Sequence, residues 1–172
     1  QHSCMNAIFL LLILGWSCNT TPEIPDVVTI QPNPVILKKG RILFLNGEPY
    51  SGWIVSFYPD GQTQQRTGYL TGRKESTSTG WCPDGKLKFQ RYYRQGEKEG
   101  THLGWWPHGQ KKFEYKFKDG VHQGGLKSWY ENGQLYKHYH YASGYEEGSQ
   151  RRWQANGKVA ANYVVVDGRR FG

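Results

Sequence analysis

The side chains in this chain best suited to chemistry are its histidines. His138 and His140 stand two residues apart, so on a strand both imidazoles fall on one face. His108 and His122 come from neighbouring segments. Three or four such ligands, converging with a supporting shell, would hold zinc. No cysteine stands near them, so His138 and His140 read as a solvated pair and no metal is expected. Glu146, Glu147 and Asp119 fall in turn segments, whereas glycoside hydrolysis needs two opposed carboxylates across a cleft. The chain has no phosphate-binding Gly-x-x-x-x-Gly-Lys-Ser/Thr loop and no Gly-x-Ser-x-Gly elbow. These residues predict no catalytic site, no cofactor and no enzyme.

The cysteines have separate roles. Cys18 follows the apolar run Ala7 to Leu14 and the small residues Gly15 and Ser17. That run is far shorter than the ~20 residues that cross a bilayer, but it suits a signal-peptide core. It predicts a signal peptide over residues 1–17 that contains Cys4, with lipidation of Cys18. Residues 18–39 then form a proline-rich tether. Cys82 stands alone, in a column otherwise held by Tyr58, Trp106, Tyr130 and Gln154, where it would fill space beside an aromatic ladder.

The aromatic pairs Trp105-Trp106 and Trp129-Tyr130 are the candidate binding surface. Adjacent strand residues point to opposite faces, so one ring of each pair turns away from the main ladder. Such rings could stack on sugars or enclose a quaternary amine. They could equally cover the second face of a single-layer sheet.

What must position these residues is a repeat. Gly61, Gly85, Gly109, Gly133 and Gly157 stand 24 residues apart. Gly72, Gly96, Gly120, Gly144 and Gly168 keep the same step, as do Gly52, Gly100, Gly124, Gly148 and Gly172, with Ser76 in the one gap. Phe57, Trp81, Trp105, Trp129 and Trp153 form an aromatic column in register. Tandem repetition over residues 40–172, about five units, predicts a stacked array. Asn132-Gly133, Asn156-Gly157, Asp60-Gly61 and Asp84-Gly85 predict type I′ hairpin turns. The following strand alternates, with Tyr115 and Phe117 opposite Glu114 and Lys116. The expected fold is all-β, an elongated antiparallel meander of stacked hairpins with a divergent cap near Gly40 to Ser51.

Trp129-Tyr130-Glu131-Asn132-Gly133-Gln134-Leu135, followed by Tyr141, Gly144 and Gly148, resembles the second, bacterial variant of the MORN repeat. The resemblance covers about residues 40–172. It implies an antiparallel hairpin array and a binding or scaffolding role, with no catalytic residues. Proteins of this architecture are often named YwqK-like antitoxins of toxin–antitoxin systems.

The net charge is +8, and aromatic residues make up 15% of the chain. A basic balance favours anionic partners, although Lys and Arg are scattered and nucleic acid is not expected. The sequence therefore predicts a non-enzymatic, exported lipoprotein of a bacterial cell envelope, anchored in the membrane at Cys18. Its sheet face would bind a protein partner. The alternatives are an antitoxin and a module that binds wall polymer or anionic lipid.

Overall fold

The structure, a computed structural model, describes residues 23–31 and 36–172. Within them the chain is all-β, with no helix. Strand β1 (Val28–Gln31) precedes a small sheet of β2 (Ile36–Lys39), β3 (Ile42–Leu45) and β4 (Glu48–Pro49). The array follows: β5 (Gly52–Phe57), β6 (Thr63–Leu70), β7 (Arg73–Trp81), β8 (Leu87–Arg94), β9 (Glu97–Lys98) and β10 (Gly100–Trp105). It continues through β11 (Lys111–Lys118), β12 (Val121–Trp129), β13 (Leu135–Ala142), β14 (Tyr145–Glu146), β15 (Gly148–Trp153), β16 (Val159–Val166) and β17 (Arg169–Phe171). From β6 to β17 each strand pairs antiparallel with one that precedes it, giving one long meander.

The N-terminal end differs from expectation. The tether read at residues 18–39 contains two paired strands, and residues 18–22 and 32–35 lie outside the described residues. β1 pairs parallel with β5, Val28 opposite Trp53 and Gln31 opposite Ser56, so the sheet is mixed. β5 would otherwise be an edge with unpaired amides, and the added strand satisfies them. β2 and β3 form a hairpin whose apolar face lies on the array. Leu43, Tyr50 and Ile54 are buried there, flanked by Ile36, Leu45 and Tyr69. Each such side chain contributes about 1.5–3 kcal/mol on burial.

The type I′ geometry expected at the Asn-Gly and Asp-Gly turns falls on the other turn column. In Tyr58-Pro59-Asp60-Gly61 only Gly61 has positive φ, and its amide donates to the Tyr58 carbonyl at 2.9 Å. This is a type I turn closed by a glycine bulge, and the same pattern recurs at Gly85, Gly109, Gly133 and Gly157. The physical reason lies one residue upstream. Pro59, Pro83 and Pro107 occupy the second turn position, whose φ proline already holds. The Asp or Asn that follows bonds ahead: Asp60 Oδ1 accepts the amide of Gln62 at 3.0 Å, and Asn132 Oδ1 that of Gln134 at 3.0 Å. Type I′ geometry falls instead on Thr71-Gly72, Gln95-Gly96, Asp119-Gly120, Ser143-Gly144 and Asp167-Gly168, where both central residues have positive φ.

A thin sheet has little interior, and deep burial concentrates in one repeat column. Ile54, Ser78, His102, Leu126 and Gln150 are all buried although their chemistry differs. The polar members are paired, as burial demands. Ser78 and Thr67 share a hydroxyl bond of 2.7 Å. His102 Nε2 meets the Tyr92 carbonyl at 2.7 Å, and Gln150 bonds both the amide and the carbonyl of His140.

Candidate functional site

One sheet face carries a continuous stack of rings. Tyr93, His102, Phe117, His122 and Tyr141 come from β8, β10, β11, β12 and β13, with successive centroids 5.5, 4.6, 4.4 and 5.0 Å apart. Tyr93, Phe117 and Tyr141 stand one repeat apart, and His102 and His122 fill the places between them across the sheet. Cations lie over it at the N-terminal end. Lys74 Nζ is 4.8 Å from the Tyr93 centroid, and Lys98 Nζ is 4.8 Å from that of Phe117. The same column continues through His122 to Glu146, so it runs from cation to anion along the array.

The small sheet turns this end into a cleft. Lys38 and Arg41 come from the β2–β3 hairpin and join Lys74 and Lys98 in lining a cavity of about 340 Å³, together with Leu43, Tyr69 and Tyr93. Glu97 is the one carboxylate in the lining, and Arg41 already engages it. The Lys74 ammonium is held below its usual range, first by burial and then by the charges of Lys38, Arg91 and Lys98. Burial and the nearby Tyr93 push the Tyr69 hydroxyl up. The cleft thus concentrates positive charge that no side chain within it neutralises, beyond Glu97. It can hold an anionic group.

The aromatic residues singled out from sequence are half-buried, and two of them, Trp106 and Tyr130, tie repeats together. Trp106 Nε1 donates to the Trp129 carbonyl at 3.2 Å, and the Tyr130 hydroxyl donates to the Trp153 carbonyl at 3.0 Å. Lys112 lies 4.2 Å over the Trp106 ring and Lys111 5.6 Å over Trp129. Trp105 and Trp106 line one pocket together with Cys82, and Trp129 and Tyr130 are not part of that lining. Cys82 itself is buried and free.

The histidines do not converge. His138 and His140 are 4.7 Å apart, but His122 sits in the ring stack and His108 lies 3.7 Å from Glu131. Among the described residues no three His, Cys, Asp or Glu side chains are grouped to hold a metal ion. No helix among them is long and apolar enough to cross a membrane. Cys18 lies outside the described residues.

Sequence reasoning missed the basic cleft. Lys74 and Lys98 are one repeat apart, which is a legible signal. Lys38 and Arg41 arrive from outside the array, and only the folded hairpin brings them there. The chain matches none of the curated proteins searched. A family model described as a MORN repeat variant matches residues 124–142, the stretch from Gly124 in β12 to the end of β13, so that unit of the array is a MORN-type repeat.

Proposed function

We propose that this chain is a non-enzymatic recognition protein that binds an acidic segment of a partner protein in the basic cleft. The convergence of Lys38, Arg41, Lys74 and Lys98 around one engaged carboxylate carries this reading. Mutually repelling cations gain most from an anion that enters between them, and their field steers its approach. Anchoring at Cys18 would place this surface at the membrane of a cell envelope.

A hexaglutamate peptide tests the cleft. It should bind with strong salt dependence, and binding should fall more than about tenfold in the double variant Lys74→Met, Lys98→Met. Equal binding by the double variant would remove the cleft from the reading. Vesicles rich in phosphatidylglycerol provide the rival arm. Binding to vesicles without binding to the peptide would favour a lipid or wall-polymer module over a protein binder. Membrane fractionation of wild type against Cys18→Ser tests the anchor, which predicts release of the variant.

A further inference from the structure

We propose that the pocket beside Cys82 is a binding site for a small aromatic anion, a phenol carrying a carboxylate. The repeat supplies the argument, because it shows what normally fills this place. At three equivalent positions a ring reaches forward and donates to the carbonyl 23 residues on. Tyr58 bonds Trp81 O at 2.8 Å, Trp106 bonds Trp129 O at 3.2 Å and Tyr130 bonds Trp153 O at 3.0 Å. The corresponding partner of position 82 is the Trp105 carbonyl. Cys82 is too short to reach it, and no side chain among the described residues donates to it.

The space left by the missing ring is a cavity of about 300 Å³. Its walls are Phe89, Trp105, Trp106 and Phe113, with Cys82 among them. Aromatic walls and a polarisable sulfur suit a flat ring. A phenol bound there places its hydroxyl where Tyr58 and Tyr130 place theirs, donating to Trp105 O. The charged side chains lining the pocket, Lys88, Arg91 and Lys112, are all cationic. Arg91 lies 4.5 Å from the Phe89 centroid and Lys112 4.2 Å from that of Trp106, so the cations border the ring site. They fix the sign of the ligand's second group as negative.

The probe is 4-hydroxyphenylacetate, titrated into the full chain and followed by the indole N–H signals of Trp105 and Trp106. Phenylacetate lacks the donor and tyramine replaces the carboxylate with a cation. Each should bind about tenfold more weakly than 4-hydroxyphenylacetate. Cys82→Tyr should restore the missing ring, raise the melting temperature and abolish binding. Cys82→Ala keeps the cavity open and should retain binding, which guards against a Cys82→Tyr chain that simply misfolds. Unmoved Trp105 and Trp106 signals with the native chain would overturn the proposal. So would equal binding of tyramine, or binding by a folded Cys82→Tyr chain.

Discussion

The carboxylate of Glu99 accepts the backbone N–H of Asp119 at 2.9 Å, and Asp119 is the first central residue of a type I′ turn with φ of +49°. The relationship recurs at three other steps of the array. Ser51 accepts from Thr71 at 2.8 Å, Glu75 from Gln95 at 2.7 Å and Gln123 from Ser143 at 2.7 Å. One repeat thus holds the turn of the next in a backbone region that residues other than glycine rarely occupy. Glu99→Ala should cost about 1 kcal/mol, or roughly 2–4 °C of melting temperature. Glu99→Gln should recover most of this, because a carboxamide already fills the same role at Gln123. A calorimetric comparison of the two variants checks it. Equal losses in both would mean that charge, through Lys118 at 3.1 Å, matters more than the turn amide.

These supports explain which parts of the fold are legible. Glycines and aromatic residues recur because backbone geometry and ring packing demand a type, and a type that recurs is visible in sequence. The acceptor column Ser51, Glu75, Glu99, Gln123 escapes notice because an oxygen at the right reach is all that the turn requires. The buried column Ile54, Ser78, His102, Leu126, Gln150 keeps no chemistry at all, only position. The turn types differ from expectation because Asn-Gly is a strong hairpin signal, and the proline before Asp60 or Asp84 reads equally well as a strand end. The glycines at 100, 124 and 148 have positive φ and little beside them, and Ser76 adopts φ of +61° in the same place. The Cys82 pocket is the least legible part, since it is visible only against the rings that neighbouring repeats retain.

Acid should weaken the fold before any carboxylate titrates. His102, His122 and His138 all have imidazoles held below their ordinary range, in each case first by burial. Facing charges add to this: Arg91 and Lys98 at His102, Lys98 at His122, and His140, Lys127 and Arg151 at His138. Below about pH 6.5 the unfolded chain takes up protons that the folded chain resists. Their contribution to stability is therefore complete above that pH and is lost as pH falls towards the depressed folded values. Urea midpoints should be flat from about pH 7 to 8 and decline towards about pH 5.5. His102→Gln should fold, since Gln150 fills the same column, and should show a shallower decline. An unchanged slope in that variant would assign the acid sensitivity to the other two histidines.

Gly104 is held to glycine by a neighbour. A Cβ there would collide with the ring of Phe113, which stacks on Tyr115 at 4.8 Å. Gly104→Ala should destabilise by about 1–3 kcal/mol through overpacking. Gly125 has open space where a Cβ would point and lacks positive φ, so Gly125→Ala should be neutral or slightly stabilising. Pairing Gly104→Ala with Phe113→Leu in a double-mutant cycle locates the cause. If the second substitution relieves none of the loss, the ring is not what excludes the methyl group.

Lys74 should reveal a conflict between stability and recognition. Its pKa is lowered in the folded chain, so the folded state binds its proton less tightly than the unfolded state does. At neutral pH both states are protonated and the whole penalty is present, with relief only as pH rises through the lowered value towards 10.5. Lys74→Met keeps the stem that covers Tyr93 and removes the charge. It should therefore melt at higher temperature than the native chain at neutral pH. The gap should shrink as salt screens Lys38, Arg91 and Lys98. The same variant should bind hexaglutamate more weakly, since it gives up one of the four cations that make the cleft attractive. A chain that became less stable at low salt would show that the cation over Tyr93 gains more from the ring than it loses to its neighbours. Improved stability with unchanged peptide affinity would instead move the binding site away from this cleft. Higher stability with weaker binding is the combination expected when charge is retained for function at a cost to the fold.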